Sequence, residues 1–235
     1  MATLEQRDFY EPPPEIVNKN QPHMALLFLV DTSYSMKDEP IRSLNDCLNR
    51  FKEEVCLDES TSDILDVAIV EFNSDKRVVQ RFTPVGQMKS VSLVATGSTK
   101  MSPAIWEALE MVDARYRFYL NDAQPYKPWI VLISDGAPDE EDKPKIEEVA
   151  MKIKKMEAEG KLRFRSLGVK GCDWKILHQL SGEDVIQMDG YDFTGFFDWA
   201  RKSMRAISSR APENSETTPD VALGGNLSVH KNTVN

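Results

Sequence analysis

The chain is predicted to be an α/β protein: a doubly wound, mostly parallel six-stranded sheet with one antiparallel edge strand and helices on both faces. Three observations predict it. Residues 25–30 and 129–133 are apolar at every position, as expected of strands covered by helices on both faces. Strand-like segments of this kind alternate with amphipathic helical ones from about residue 23 to 210. One further strand follows its predecessor after only Asn73-Ser74-Asp75, a spacing that permits a hairpin and no crossover.

Taken in order, the first strand is 24–30 and ends in Asp31. Pro40 then opens a helix on which Ile41, Leu44, Leu48, Phe51 and Val55 recur at helical spacing. Strands at 65–72 and 78–82 form the hairpin, the second lying at a sheet edge. Ser102 is the expected N-cap and Pro103 the first residue of a helix over 104–120, with Ile105, Ala108, Leu109 and Val112 inward. The strand 129–134 is followed by acidic residues 139–142, read as a solvated first turn. Their helix carries Ile146, Val149, Ile153 and Met156 and stops at Gly160. A strand at 163–169, a short helix after Asp173, a strand at 185–188 and a helix carrying Phe193, Phe197, Ala200, Met204 and Ile207 complete the pattern. Residues 1–22, with Pro12-Pro13-Pro14, read as an extended lead-in. Residues 211–235 contain no aromatic residue and read as a polar tail with little to bury.

Composition narrows the function classes. Among 235 residues, 41% are hydrophobic and 29% charged, and the net charge is −9. An acidic chain with no basic stripe cannot neutralise phosphates, which excludes nucleic acid as a partner. Lys152-Ile153-Lys154-Lys155 is a solvated helix face. Cys47, Cys56 and Cys172 form no CxxC pair, so neither a disulfide framework nor a zinc site is expected, and Cys47 falls on the apolar side of its helix. No apolar run reaches membrane-spanning length and no signal peptide precedes the first strand. A cytoplasmic location away from any membrane follows.

The chemistry gathers at the carboxyl ends of the strands, where ligands of open α/β sheets sit. Asp31-Thr32-Ser33-Tyr34-Ser35 offers one carboxylate and two hydroxyls from alternate residues. Thr96-Gly97-Ser98-Thr99 stands before the next helix but one, and Asp135-Gly136 ends the most apolar strand. The donors are oxygen throughout. Few charged oxygens suit a hard cation that keeps some water and an open position, which favours Mg²⁺ over zinc, with Mn²⁺ or Ca²⁺ as alternatives. The open position suits an acidic side chain from a protein partner.

The pattern resembles the metal-ion-dependent adhesion site of von Willebrand factor A domains, whose signature is DxSxS followed by a Thr and an Asp. The matching residues are Asp31, Ser33, Ser35, Thr99 and Asp135, and the similarity spans about residues 22–208. The resemblance implies direct contacts from the Ser and Thr hydroxyls and direct or water-mediated contacts from the aspartates. LFLVDTSYSMKDEPIRSLN, GSTKMSPAIWEAL and WIVLISDGAPDE look more narrowly like the bacterial TerY/YegL-type subfamily of stand-alone intracellular domains. That likeness implies a stress-response, tellurite-resistance-like or defence setting with a protein kinase and a PP2C-like phosphatase as partners. Tyr34 and Thr96 stand where glycine is commoner, and neither is a ligand position.

Tyr34, Met36, Lys37, Met101 and Pro138 are candidates for a partner-binding rim around the open site. Ser98 reads as a turn residue, Asp38 and Glu39 as the start of the first helix, and Trp106, Trp174 and His178 as packing residues. The function expected is a non-catalytic, metal-dependent protein-interaction module. Tail residues Ser215, Thr217 and Thr218 are candidate phosphorylation targets. Two alternatives remain: an aspartate-dependent phosphotransfer enzyme, or a scaffold that binds partners without metal. The first lacks a second acid, because Ser33 stands two residues beyond Asp31. No GK[ST] loop and no nucleophile–histidine pair accompany it.

Overall fold

The computed structural model describes residues 21–122, 124–135, 137–169, 171–183, 185–212 and 221–231. Residues 1–20 of the expected lead-in, the tail positions Ser215, Thr217 and Thr218, and Gly136 lie outside the described residues. The chain runs β1 (Met24–Asp31), a 3-10 turn (Tyr34–Met36), α1 (Glu39–Val55), a one-turn α2 (Glu59–Ser62), β2 (Leu65–Phe72) and β3 (Lys76–Pro84). After a second 3-10 turn (Val85–Gln87) come α3 (Met101–Tyr119), β4 (Trp129–Ser134), α4 (Lys143–Ala158), β5 (Arg163–Gly168) and α5 (Trp174–Ser181). The last elements are β6 (Val185–Met188), α6 (Thr194–Ser208) and β7 (Leu227–Val229).

The sheet has seven strands in the order β3-β2-β1-β4-β5-β6-β7. The five central strands are parallel, and β3 and β7 run antiparallel at the two edges. The expected architecture therefore holds, with one strand and one antiparallel edge more than the sequence suggested. The extra strand is Leu227–Val229, whose Leu227 pairs with Met188 and Val229 with Ile186. It falls in the segment read as a tail, because three residues are too few to show a period. Side chains outside the ladder hold it down: His230 stacks on Trp174 at 3.9 Å and meets His178 Nε2 through Nδ1 at 2.9 Å. His178 and Trp174 thus keep the packing roles expected of them.

Every residue of β1 is buried, and its alternation divides the core in two. Met24, Leu26, Phe28 and Val30 face one layer with α1 and α6, where Phe28, Phe51 and Phe197 meet at 5.3–5.7 Å. Ala25, Leu27 and Leu29 face the other layer with α3, α4 and α5. Helices on both faces explain why β1 and β4 are apolar at successive positions. Strand order reverses beside β1, since β2 pairs with one edge of it and β4 with the other. The carboxyl ends of β1 and β4 frame this switch point.

Two local expectations are corrected. Ser102 is not the N-cap of its helix; α3 begins at Met101, and Lys100 precedes it without a side-chain cap. Ser102 N–H instead donates to Asp142 Oδ2 at 2.8 Å. Asp142 is buried, so residues 139–142 do not form a purely solvated turn. The acid opening one helix serves as the cap of another.

Candidate metal centre

Asp31 ends β1 with its side chain fully buried. Its Oδ1 accepts from Ser33 N–H at 2.8 Å and its Oδ2 from the Ser134 hydroxyl at 2.6 Å. The residue after it, Thr32, is tied to the neighbouring strand: Thr32 N–H and Oγ1–H both donate to Phe72 O. These bonds extend the pairing of β1 with β2 by one residue before the chain enters the loop. Ser33 then precedes the 3-10 turn, and its Oγ lies 2.9 Å from Ser35 Oγ. Ser33 is buried and Ser35 exposed, so the pair of hydroxyls leads from the carboxylate to the surface.

The second loop is bound to the first. Thr96 N–H donates to Thr32 O at 2.8 Å, and Tyr34 N–H donates to Gly97 O at 3.1 Å. Gly97 has φ of 75°, and a Cβ there would stand 2.5 Å from Ser74 Oγ; glycine is required both by conformation and by space. Ser98 is a turn residue as expected, its N–H donating to Ser74 Oγ at 2.9 Å. Thr99 is buried, and its loop is paired with the third one. Thr99 N–H donates to Asp139 Oδ1 at 3.0 Å, while Asp139 N–H donates to Thr99 O at 2.9 Å. Hydrogen bonds from the Ser98 hydroxyl and the Thr99 amide hold Asp139 below the usual carboxylate range.

Asp135 follows β4 and is buried. Its Oδ1 accepts from Ala137 N–H at 3.2 Å, and its carbonyl accepts from Asp173 N–H at 2.8 Å. Its charge reaches Asp31. Burial pushes the Asp31 carboxyl up to about 6, and the Asp135 carboxylate adds to the rise. Hydrogen bonds from Ser134 and Ser33 pull it back only in part. Cys172 feels the same acid: burial first, then Asp135, pushes its thiol to about 12. It stays protonated.

The residues present fit a hard divalent cation. Two carboxylates repel each other in a buried site, the Ser33 and Ser35 hydroxyls add neutral oxygens from the first loop, and Thr99 stands on the second. Among the described residues, none of the groups acting on Asp31 is cationic. A divalent ion would relieve that repulsion. Among the described residues, no group of three or more His, Cys, Asp or Glu side chains is arranged to hold a metal. Ligation at this centre would therefore depend on Ser33, Ser35 and Thr99 as well as the two aspartates.

The rim differs from expectation. Met36 and Met101 are buried in the two core layers, and Pro138 is buried as well; none of the three is free to meet a partner. Tyr34 is 62% exposed and Lys37 is exposed, with Lys37 Nζ 5.2 Å from the Tyr34 ring centre. Glu39 lies in the first turn of α1, while Asp38 precedes it at a φ of 69° without a side-chain cap. Sequence reasoning passed over Ser134, whose hydroxyl orients Asp31. Its only signal was being the polar residue that closes an otherwise apolar strand.

The family model for the von Willebrand factor type A domain matches residues 25–194. No curated protein matches the sequence. Among solved structures, the chain is similar to the vWF domain of the type V pili tip protein Mfa5 from Porphyromonas gingivalis, with a TM-score of 0.61 and 10% identity over 81% of this chain and 97% of that one. The pilus adhesin SpaC from Lactobacillus rhamnosus GG gives a TM-score of 0.63 and 13% identity, covering 79% of this chain and 30% of SpaC. The manganese-loaded TRAP protein of Plasmodium vivax gives 0.53 and 20% identity, over 76% of this chain and 72% of TRAP. At these identities the likeness is one of fold.

Proposed function

We propose that this chain, which belongs to the von Willebrand factor type A domain family, is a non-catalytic, metal-dependent protein-interaction module. Asp31, Ser33, Ser35, Thr99 and Asp135 would hold the cation, with Mg²⁺ the first candidate and Mn²⁺ or Ca²⁺ the alternatives. The observation that carries the reading is the buried, repelling pair Asp31 and Asp135 beside the Ser33–Ser35 hydroxyl pair. Bound there, the cation would supply an electrophilic position for an acidic side chain of the partner. Ser134 and the Ser33 amide orient Asp31, the Thr99–Asp139 pair joins two of the loops, and Tyr34 and Lys37 present an aromatic and a cationic contact at the opening.

The narrower likeness to TerY/YegL-type domains favours a bacterial cytoplasmic setting in stress response or defence, with a kinase and a PP2C-like phosphatase as partners. Three free cysteines suit a reducing compartment. Among the described residues no helix is long and apolar enough to cross a membrane. Phosphotransfer through Asp31 is disfavoured, because Ser33 stands two residues on, where a second acid would be needed.

The test is the melting temperature of the full chain in EDTA and across Mg²⁺, Mn²⁺ and Ca²⁺ series, beside Asp31→Ala. At ten times Kd a ligand of the folded state contributes about 1.4 kcal/mol, or roughly 3–6 °C for a domain of this size. A saturable rise that vanishes in Asp31→Ala is the expected result. A wild-type melt indifferent to all three ions would overturn the metal reading.

A further inference from the structure

Helix α1 does more than cover the sheet. Asn45, Asn49 and Lys52 lie one turn apart in succession along it, and all three face the extended segment 88–93. Asn45 Nδ2–H donates to Leu93 O at 2.9 Å, and Leu93 N–H donates to Asn45 Oδ1 at 2.7 Å. Asn49 makes the same pair of bonds with Val91, again at 2.9 and 2.7 Å. Lys52 Nζ continues the row to Met88 O at 2.5 Å.

Each asparagine amide here imitates the peptide unit of a neighbouring strand. The match is geometric. Four residues of helix advance about 6 Å, and two residues of extended chain advance about 6.6 Å, so an i, i+4 pair can read alternate residues of a strand-like segment. Val91 and Leu93 are the residues read, and both are buried in the core layer beneath α1; Ser92 and Val94 between and after them are exposed. Backbone groups that would otherwise lack partners are satisfied by a helix in place of a sheet.

The segment so held leads directly to the metal centre. Three residues beyond Leu93, Thr96 N–H bonds to Thr32 O, and the next residue, Gly97, accepts from Tyr34 N–H. Thr99 follows. Helix α1 itself begins at Glu39, three residues after the 3-10 turn that contains Ser35. One helix therefore carries the Asp31–Ser35 loop at its start and clamps the approach to the Thr99 loop along its side.

We propose that Asn45 and Asn49 are positioning residues of the metal centre. Their amides register segment 91–93 against α1 and so set where Thr99 stands relative to Ser33 and Ser35. The proposal rests on the metal-binding reading above. Its prediction is that loosening two amides distant in sequence from every ligand weakens cation affinity without unfolding the domain.

The test compares the full-length wild type, the double variant Asn45→Ala/Asn49→Ala and Ile153→Ala, a core change on α4 remote from the clamp. Mn²⁺ affinity is measured by calorimetry at a temperature where all three are folded in EDTA, and amide hydrogen exchange is followed across residues 88–99. The expected result is a Kd at least tenfold higher in the double variant, faster exchange across 91–99, and an unchanged Kd in Ile153→Ala. Should the double variant fail to fold, Asn49→Asp keeps the acceptor for Val91 N–H and removes the donor, and a smaller rise in Kd is expected. Accelerated exchange at 91–93 with a Kd within twofold of wild type would overturn the positioning role while leaving the metal centre intact. A wild-type chain that takes up no Mn²⁺ would overturn both, and the two failures are told apart by the wild-type titration alone.

Discussion

Asp31 is fully buried with a second carboxylate acting on it, and its protonation is tied to stability. Its carboxyl titrates at about 6 in the folded chain against an ordinary value of 3.8. Above pH 6 both folded and unfolded states are ionised, and the folded state bears a cost on the order of 3 kcal/mol. As pH falls through 6 the folded state takes up its proton first, so the cost shrinks and is gone below the unfolded value. Metal-free protein should therefore gain stability from this group between pH 7 and pH 5. Asp31→Asn keeps an acceptor for Ser33 N–H and removes the charge. In EDTA at pH 7 it should melt higher than wild type, and its melt should vary less between pH 5 and 7. The same variant should lose any Mg²⁺-induced rise. Because the cation competes with the proton, wild-type affinity should drop about tenfold per pH unit below 6. Parallel pH slopes for wild type and Asp31→Asn in EDTA would refute the assignment.

Elements in this fold are capped and completed by distant segments. Ser102 N–H at the start of α3 depends on Asp142, forty residues away and at the start of α4. Asp142→Ala would leave that buried amide without its acceptor and should cost about 1–2 kcal/mol, read as a lower urea midpoint at unchanged slope. An unchanged midpoint would mean that water replaces the carboxylate without penalty. This arrangement also explains what the sequence could and could not disclose. β2, β4 and β6 run over the residues expected, because their apolar runs and bounding turns are local signals. The start of α3 was misplaced because its cap comes from elsewhere in the chain, and Ser102-Pro103 imitates a local one. β7 was hidden by brevity, its hold on the sheet depending on Trp174 and His178 some fifty residues earlier. At the site, the strand-end loops offered the candidate oxygens, and singling out Asp31, Ser33, Ser35, Thr99 and Asp135 among them rested on the likeness to the von Willebrand factor A signature. The rim was not legible: whether Met36, Met101 and Pro138 point outward depends on the path of each loop, and all three turn into the protein.

Considered whole, the molecule builds its hydrophobic core independently of the site at one end of its sheet. Both hydrophobic layers are complete without a cation, since β1 feeds each of them with residues that are buried along its entire length. Towards the other end, at β2, Asp66 accepts from Arg115 Nη2 at 2.6 Å and from the Tyr119 hydroxyl, a buried network that owes nothing to the metal centre. A chain built this way should behave unlike a small zinc domain, in which metal binding is the folding energy. In EDTA it should keep its near-ultraviolet circular dichroism and unfold in one cooperative step. Saturating cation should then add only the few degrees expected of a ligand that binds a preformed fold. By contrast, Leu27→Ala opens a cavity in the layer between β1 and α3 and should cost about 2–5 kcal/mol with or without metal. The two effects should add, because a core position and a strand-end site share no partner. Loss of cooperative unfolding in EDTA, or a Leu27→Ala penalty that disappears when metal is removed, would show that the cation organises the core and that this separation is wrong.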